Sequence, residues 1–476
     1  MNLKNSQKPF LWKLKSGERR FILLVGDMIS SIAALMMSLY IWGIADTWLD
    51  LSSEFIAERT PFWFYFLPMV WIALLLIVEL YDERKAGRRR EVFRGVLIAA
   101  VAYTGLYLAI YFTSQPNSLP RRGVAVFILS ASLFTILLRL LYIRVFTAPQ
   151  FLRRVLIVGA GRAGKALASV VSEIWPPPFY VVGMIDDDSK KKGKKIEGFE
   201  VLGNSQDLSA IIEKENISDI IFSISGNMKP EMFQALLAAE EKGVEVTTMP
   251  AMYEDLRGRV PIHLLQSDWI LRSFVDQAHA GGIYNVVKRL MDILGSVIGL
   301  SILIVLFPFL AIFIFLDSGF PVLYKQTRLG RSGREYQMIK FRTMRQDAEK
   351  DGKAQMAAKN DQRVTRFGRF LRRSHLDELP QFINVLLGDM SLVGPRAERP
   401  QLVEELQNQV PFYRARLLVK PGLTGWAQVN YGYVSTIEGT SIKLEYDLYY
   451  IKHRDLMLDI SIILRTIGAV IGFRGR

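Results

Sequence analysis

The sequence predicts a membrane protein in three parts: a bundle of four transmembrane helices, a middle α/β domain, and a re-entrant membrane helix followed by a second α/β domain. Three observations predict this fold class. Hydrophobic residues make up 50% of the 476 residues, a high share for a soluble chain of this length. Five apolar runs each approach the roughly 20 residues that a helix needs to cross a bilayer. Strand-like and helix-like segments alternate elsewhere. The predicted domains are 1–150, 151–275 and 280–476.

Four of the apolar runs lie in the first third of the chain, and the charges of their loops set the orientation. The segments before the first run and after the second and fourth runs are rich in Lys and Arg, whereas the loop after the first run is acidic. The positive-inside rule therefore places both ends of the bundle in the cytoplasm, although Arg121 and Arg122 run against it. Buried helices of a soluble protein are the less consistent alternative. The four runs are Phe21–Ile44, Phe62–Leu80, Val96–Phe112 and Val124–Val145.

Composition excludes several kinds of site. The chain has no cysteine, so it has no disulfides, thiolate zinc sites or cysteine nucleophiles. Its four histidines are far apart in sequence, which disfavours a histidine metal cluster. The formal net charge of +14 suits anionic lipid, phosphorylated substrates or nucleic acid. We expect lipid and phosphorylated substrates, and no nucleic acid.

The segment from about 151 to 250 predicts a parallel sheet with helices between its strands. Its first strand leads into GAGRAG, with Gly159, Gly161 and Gly164 before a helix, and Asp186 stands where a ribose-binding acid would lie. This pattern is typical of a Rossmann-like, dinucleotide-binding domain. A phosphate-binding P-loop is disfavoured because Ala166 replaces the Ser or Thr that would bind magnesium. A turn that has lost its ligand, or that regulates with it, is left open, as is a bound nucleotide.

The fifth apolar run, Met291–Leu316, carries Pro308 and has basic residues on both sides. A single crossing would leave one basic flank outside the cell. A helix over 286–316 that breaks at the proline and returns keeps both flanks in the cytoplasm. We therefore expect a re-entrant helix, with a simple fifth span as the alternative. The flanking residues are Lys288, Arg289, Lys325, Arg328, Arg331 and Arg334.

The stretch HLDELPQ, residues 375–381, places two adjacent acids where a helix begins. Pro380 suits the first turn of a helix, so Asp377 and Glu378 lie at or just before its N-terminus. Carboxylate oxygens without Cys and with few His favour magnesium or manganese over zinc. An aspartate can also attack a phosphate and form an acyl phosphate.

Basic residues surround the acids, which suits phosphoryl transfer because arginine matches phosphate oxygens. A helix-capping acid pair beside a solvated basic face is the structural alternative. The predicted phosphate-binding residues are Lys340, Arg342, Arg372, Arg373 and Arg396, with Arg366 and Arg369 nearby.

Four segments of this last domain closely resemble the bacterial sugar transferases, the monotopic phosphoglycosyl transferases. They are KRLMDILG (288–295), PVLYKQTRLGRSGREYQMIKFRTM (321–344), HLDELPQFINVLLGDMSLVGPR (375–396) and KPGLTGWAQVNYGY (420–433). The resemblance covers about 280–476. The four helices and the middle domain are similar, more loosely, to the large branch that includes undecaprenyl-phosphate glucose and galactose phosphotransferases.

The resemblance implies a function and its site. Hexose 1-phosphate would pass from a UDP-sugar to polyprenyl phosphate with release of UMP, as the first step of exopolysaccharide, capsule or O-antigen assembly. Asp377 would attack the sugar-bearing phosphate, Glu378 would support the Mg²⁺ or Mn²⁺ ion and proton handling, and Arg396 would contact phosphate. The catalytic domain would face the cytoplasm at a bacterial inner membrane. A homo-oligomer and polysaccharide-assembly proteins are further partners that the family allows.

One departure and two alternatives remain. Many relatives break the membrane helix at Ser-Pro, whereas Phe307 precedes Pro308 here. A membrane-anchored nucleotide-sugar dehydratase would use the glycine motif and a Tyr-x-x-x-Lys pair, but the one match, Tyr336 to Lys340, lies far from the middle domain. A noncatalytic scaffold for polysaccharide assembly would bind UDP-sugar without releasing UMP.

Overall fold

The chain folds into two compact units, Met1–Met252 and Tyr253–Arg476. The computed structural model describes residues 16–45, 62–81, 83–113, 121–146, 152–175, 177–224, 226, 228–265, 282–345, 361–432 and 436–471. The boundary between the units differs from the predicted one near 275–280. Residues 253–265 pack with the second unit, where Val260 and Ile262 belong to its core.

The first unit begins with apolar helices. Buried polar contacts lie between them: Asp27 and Arg139 form an ion pair at 2.5 Å, and Trp71 Nε1 donates to Thr135 Oγ1 at 3.1 Å. Such contacts satisfy polar groups that would otherwise face hydrocarbon. The helices are α1 (Ser16–Ala45), α2 (Leu67–Ile77, after a 3₁₀ turn at Phe62–Phe66), α3 (Glu83–Ala86), α4 (Arg89–Thr113) and α5 (Arg121–Phe146).

Four helices among the described residues are long and apolar enough to cross a membrane: 17–44, 89–112, 121–145 and 282–318. The second predicted run, Phe62–Leu80, is helical only over Phe62–Ile77. The chain turns after α2, since Glu79 adopts a left-handed φ of 61°. A 3₁₀ turn followed by α2 rises about 27 Å, slightly less than the ~30 Å apolar core of a bilayer.

The predicted middle α/β domain is confirmed as a six-stranded sheet in the order β3-β4-β2-β1-β5-β6. All neighbouring strands are parallel except β3 and β4. Buried aliphatic residues such as Leu156 and Ile220 join the sheet to its helices. The elements are β1 (Arg154–Val158), α6 (Arg162–Glu173), β2 (Tyr180–Ile185), β3 (Lys195–Ile196), β4 (Phe199–Gly203), α7 (Leu208–Glu215), β5 (Asp219–Phe222), α8 (Pro230–Glu241), β6 (Glu245–Thr248) and α9 (Met249–Arg257).

The long apolar helix α10 runs over Gly282–Ser318 with Pro308 inside it. The helix is continuous through the proline, where a complete break was expected, and it is longer than the predicted 286–316. A proline removes only one backbone hydrogen bond. Neighbouring aromatic contacts, Phe307 with Phe341 and Phe313 with Phe367, stabilise the helix on both sides of it.

The rest of the second unit is a small α/β fold packed on α10. Strands β7 (Leu323–Leu329) and β8 (Glu335–Phe341) form an antiparallel hairpin, and β9 (Ser391–Val393) pairs in parallel with β10 (Gly422–Thr424). The helices are α11 (Arg366–Ser374), α12 (Gln381–Leu387), α13 (Pro400–Leu406), α14 (Trp426–Asn430), α15 (Ile437–His453) and α16 (Leu456–Ile471).

Candidate active site

The two predicted acids lie in a tight turn between α11 and α12. Helix α11 ends at His375, whose left-handed φ of 58° reverses the chain. A 3₁₀ turn at Leu376–Glu378 follows, and Pro380 then caps the N-terminus of α12. The structure therefore places Asp377 and Glu378 immediately before a helix.

Glu378 is held by two cations. Its Oε1 accepts hydrogen bonds from Lys340 Nζ at 2.9 Å and from Arg396 Nη2 at 2.7 Å. Burial alone would raise the pKa of Glu378, but Arg396 and Lys340 outweigh burial and hold this pKa well below its usual range. Glu378 is therefore ionised at neutral pH and fixes both basic side chains.

Asp377 lies beside this cluster and is 8% exposed. Within the described part of the chain, no side chain forms a hydrogen bond with its carboxylate. Burial, and then the charge of Glu378, raise the pKa of Asp377 to about 6, against the opposing charges of Lys340, Arg372 and Arg396. This pKa lies below 7, so the carboxylate is mostly ionised at neutral pH and is available as a nucleophile.

The remaining predicted basic residues differ in position. Arg372 donates from Nε to Thr343 Oγ1 at 2.9 Å and lowers the pKa of Asp377, so it belongs to the cluster. Arg373 is exposed on α11. Arg342 has a buried Nη1 without a hydrogen-bond partner among the described residues. The structure thus brings Lys340, Arg372 and Arg396 to the acids but shows no such contact for Arg342 or Arg373.

A second, deeper network fixes the backbone of Arg396. Arg416 donates from Nη2 to the Arg396 carbonyl at 3.1 Å and to Asp447 Oδ2 at 2.8 Å, and from Nη1 to the Tyr413 hydroxyl at 2.6 Å. Burial raises the pKa of Asp447 to about 6, although Arg416 lowers it. These side chains sit behind the loop that carries Arg396.

Sequence reasoning missed Thr343, Arg416 and Asp447. Thr343 directly follows the basic KFR segment, which is a usable signal. The roles of Arg416 and Asp447 arise from a contact across 31 positions, for which a single sequence offers no signal.

The two acids fit a divalent cation, although they would supply only part of its ligands. Among the described residues, no group of three or more His, Cys, Asp or Glu could hold a metal. Mg²⁺ needs no such cage, because it is commonly held by one or two carboxylates together with waters and substrate phosphates. Glu378 Oε1 is engaged by Lys340 and Arg396, which leaves its second oxygen and the Asp377 carboxylate as ligands.

The glycine turn of the middle domain has the geometry that its sequence predicts. Gly159 has a φ of 105°, and Gly161 caps the N-terminus of α6. A Cβ on Gly164 would lie only 1.9 Å from the Gly159 carbonyl oxygen, so glycine is required for close packing.

Asp186 does not present a free carboxylate to a ribose. Its Oδ2 accepts from Ala160 N at 2.8 Å and from Lys191 Nζ at 2.9 Å, and its Oδ1 accepts from Asp188 N at 2.9 Å. These bonds outweigh burial and lower the pKa of Asp186. The acid therefore closes the glycine turn from within the protein.

Comparisons with known proteins place the site in a family. A model described as bacterial sugar transferase matches residues 283–473. The exopolysaccharide production protein PSS of Rhizobium leguminosarum bv. phaseoli is 44% identical over 194 residues, which are 38% of this chain and 94% of that protein. The chain belongs to the bacterial sugar transferase family. The sugar transferase match contains all of α10 except Gly282. It also contains the acid cluster, by which we mean Lys340, Arg372, Asp377, Glu378 and Arg396.

Longer relatives match over part of their length. The UDP-N-acetylgalactosamine-undecaprenyl-phosphate N-acetylgalactosaminephosphotransferase of Aeromonas hydrophila is 43% identical over 47% of this chain and 52% of that protein. The UDP-glucose:undecaprenyl-phosphate glucose-1-phosphate transferase of Xanthomonas campestris pv. campestris is 35% identical over 58% of this chain and 57% of that protein. The chain thus spans about half the length of these two sugar transferases. A model described as CoA-binding domain matches residues 76–250.

Proposed function

We propose that the chain transfers a hexose 1-phosphate from a UDP-sugar to polyprenyl phosphate, releases UMP, and thereby begins the assembly of a polysaccharide such as an exopolysaccharide, a capsule or an O-antigen. The observation that carries the proposal is the acid pair of buried Asp377 and largely buried Glu378, on which Lys340, Arg372 and Arg396 converge. The names of the relatives from Aeromonas hydrophila and Xanthomonas campestris pv. campestris support undecaprenyl phosphate as the acceptor.

In the first half-reaction, a carboxylate oxygen of Asp377 attacks the phosphorus that carries the sugar. The bond from that phosphorus to the bridging oxygen breaks, and UMP leaves with the bridging oxygen and its electron pair. The product is an acyl phosphate between Asp377 and the sugar 1-phosphate. Arg372 and Arg396 neutralise the phosphate oxygens as negative charge moves to the leaving group.

In the second half-reaction, a phosphate oxygen of polyprenyl phosphate attacks the same phosphorus. The bond to Asp377 breaks and the carboxylate is regenerated, so that the acceptor carries a sugar diphosphate. Glu378 stays ionised throughout, because Lys340 and Arg396 hold its pKa low. We assign it to keeping these cations in place.

A magnesium or manganese ion fits the proposed site, with Asp377 and the second oxygen of Glu378 as its protein ligands. Such an ion would neutralise charge on the diphosphate. We expect UMP release to need added Mg²⁺ or Mn²⁺ and to stop in excess chelator. Full activity in chelator would contradict this assignment.

We further propose that α10 bends at Pro308 without interrupting the helix, so that it enters the bilayer from the cytoplasm and returns to it. The second unit contacts this helix near both ends: Leu392 N donates to Asp292 Oδ1 at 2.8 Å, and Phe367 N donates to Asp317 Oδ2 at 3.1 Å. A helix that crossed the bilayer would have these ends on opposite faces. UDP-sugars are cytoplasmic, so the acid cluster must face that side of a bacterial inner membrane.

The decisive experiment is UMP release by the purified protein with a panel of UDP-sugars and undecaprenyl phosphate. Asp377→Asn should abolish release while thermal unfolding stays unchanged, because an amide cannot form the acyl phosphate. A labelled sugar phosphate should become bound to the wild-type protein but not to this variant. Wild-type turnover by Asp377→Asn would rule out the nucleophile, and binding of UDP-sugar without UMP release would favour a noncatalytic scaffold.

The dehydratase alternative finds no support in the placement of its residues. Tyr336 and Lys340 lie on β8, where four positions separate them by about 13 Å. Lys340 is also bound to Glu378. Nicotinamide cofactor bound to the purified protein would be the observation that favours the dehydratase function.

A further inference from the structure

We propose that Asp459 on α16 is a positioning residue for the sugar-phosphate transfer, because it joins the start of the membrane helix to the strand that leads to Arg396. This inference rests on the proposed function. Asp459 is fully buried although it is charged, and a buried carboxylate persists only where donors surround it. The donors here come from two helices.

The start of α10 carries a polar stripe in an otherwise apolar helix. We use this name for Tyr284, Lys288, Asp292 and Ser296, which recur every four residues and therefore share one face. Asp292 and Ser296 are buried. Polar residues in a membrane helix are costly and usually face protein, and this stripe faces the second unit.

The first two residues of the stripe bind Asp459. Tyr284 Oη and Lys288 Nζ both donate to Asp459 Oδ2, at 3.0 and 2.9 Å. The Tyr450 hydroxyl lies 2.8 Å from Asp459 Oδ1 and also receives a bond from Lys288 Nζ at 3.1 Å. The Lys288 side chain is 17% exposed and that of Asp459 is 0% exposed. The pair is thus buried, and loss of one partner would leave an uncompensated charge.

The same network reaches β9. The Tyr450 hydroxyl lies 3.2 Å from the Val393 carbonyl oxygen. Asp292 Oδ1 accepts from Leu392 N at 2.8 Å and from Ser391 Oγ at 2.9 Å. All three residues of β9 are therefore tied to the polar stripe or to Tyr450.

Strand β9 ends three positions before Arg396. Gly394 N donates to Thr424 O at 2.9 Å. The short segment between β9 and Arg396 is therefore fixed to β10. Arg396 in turn donates to Glu378 at 2.7 Å. A shift of β9 would move this guanidinium, and small displacements of a phosphate-binding group reduce rates strongly.

The arrangement gives Lys288 a role beyond membrane orientation. A lysine that only marked the cytoplasmic side would need a charge near the surface and no partner. Lys288 instead forms an ion pair with the buried carboxylate of Asp459. Asp459→Asn removes that acid and leaves Lys288 in place, so it separates the two roles.

The test compares Asp459→Asn with Asp455→Asn in the whole 476-residue chain, held in nanodiscs. Both remove one acid, but Asp455 lies exposed before α16, where it caps Leu458 N, and asparagine caps equally well. We expect kcat for UMP release to fall about tenfold or more in Asp459→Asn, with KM for the UDP-sugar changed less, and no change in Asp455→Asn.

A double-mutant cycle with Arg396→Lys distinguishes positioning from general damage. If Asp459 acts through Arg396, Asp459→Asn should cost less than about threefold in the Arg396→Lys background, because coupled residues are not additive. Fully multiplicative effects, or wild-type activity of Asp459→Asn, would overturn the proposal. Absence of UMP release by the wild-type protein would instead overturn the proposed function.

A milder variant keeps the test decisive if Asp459→Asn fails to fold. Tyr450→Phe removes only the hydroxyl between Asp459 and Val393 and leaves the Lys288–Asp459 pair intact. It should show the same fall in kcat and the same non-additivity with Arg396→Lys. A folded Tyr450→Phe protein with wild-type kcat would reject the link to β9.

Discussion

Arg372 and Arg373 are neighbours on α11 with opposite surroundings. Arg372 is partly buried, bonds to Thr343 and acts on the Asp377 carboxylate, whereas Arg373 is exposed. We predict that Arg372→Ala lowers kcat/KM for UMP release by about 10- to 100-fold, since a charge-assisted phosphate contact contributes roughly 1.5–3 kcal/mol. Arg373→Ala, its matched control, should stay within about threefold of wild type. Equal losses in both variants would mean that a diffuse positive field suffices.

The two acids and the two arginines show how much can be assigned to single residues before a structure is known. The acids could be assigned because their adjacency, the following proline and the lack of cysteine all favour one chemistry. Both arginines also fitted the pattern, but adjacent helix positions point ~100° apart, so only one of them reaches the acids. Arg416 and Asp447 could not be assigned, since their contact depends on how α15 packs against a distant loop.

At the scale of elements, α15 carries a buried acid with an unusual titration. Burial raises the pKa of Glu445 to about 7, although the Arg259 guanidinium, whose Nε lies 3.3 Å from Glu445 Oε2, lowers this pKa. Between pH 4.5 and 7 the folded chain therefore holds a proton that the unfolded chain has released. This group's contribution to stability is largest below pH 4.5 and falls as the pH rises through 7, by at most about 3 kcal/mol.

Thermal unfolding at pH 5 and pH 8 measures this effect. Wild-type Tm should fall over this interval, and Glu445→Gln, which cannot titrate, should show a smaller fall. The control is Glu438→Gln, an exposed position on the same helix, which should follow the wild type. A Glu445→Gln protein that loses as much Tm as the wild type would show that Glu445 is already ionised at pH 5.

Element boundaries were predictable where one physical signal dominated. The long apolar helices and the parallel sheet follow from length and alternation. The second apolar run was harder, because hydropathy continues through Val78 to Leu80 while the backbone turns at Glu79. Pro308 favours a break, but the helix continues through it, and Phe307 and Phe313 pack against Phe341 and Phe367 on either side of it.

At the scale of the whole molecule, the polar segment 253–265 belongs to the second unit. Trp426 Nε1 donates to Gly258 O at 2.7 Å. Glu254 accepts from Lys452 Nζ at 2.9 Å, and its Oε2 lies 2.7 Å from His453 Nε2. Composition places this segment with the preceding domain, because only tertiary contacts reveal its partners. The sugar transferase match begins at residue 283, so this chain adds packing surface that the family model does not include.

Membrane topology is the property on which the proposed chemistry depends most. Single cysteines at Ile283 and Ser332, in a chain without its own cysteines, mark the start of α10 and the turn between β7 and β8 that follows it. Ile283 is 82% exposed and Ser332 lies in an exposed turn. If α10 enters and leaves on the cytoplasmic side, an impermeant thiol reagent should label neither position in intact cells and both after lysis. Ser52→Cys, in the predicted external loop, should be labelled in intact cells and serves as the positive control. Labelling of 332 but not 283 in intact cells would establish a full crossing, which would carry Asp377 away from its donor.

Pro308→Leu restores a helix hydrogen bond and removes the clash with the preceding turn. We therefore expect Pro308→Leu to shift position 332 toward external labelling and to lower UMP release in the same proportion.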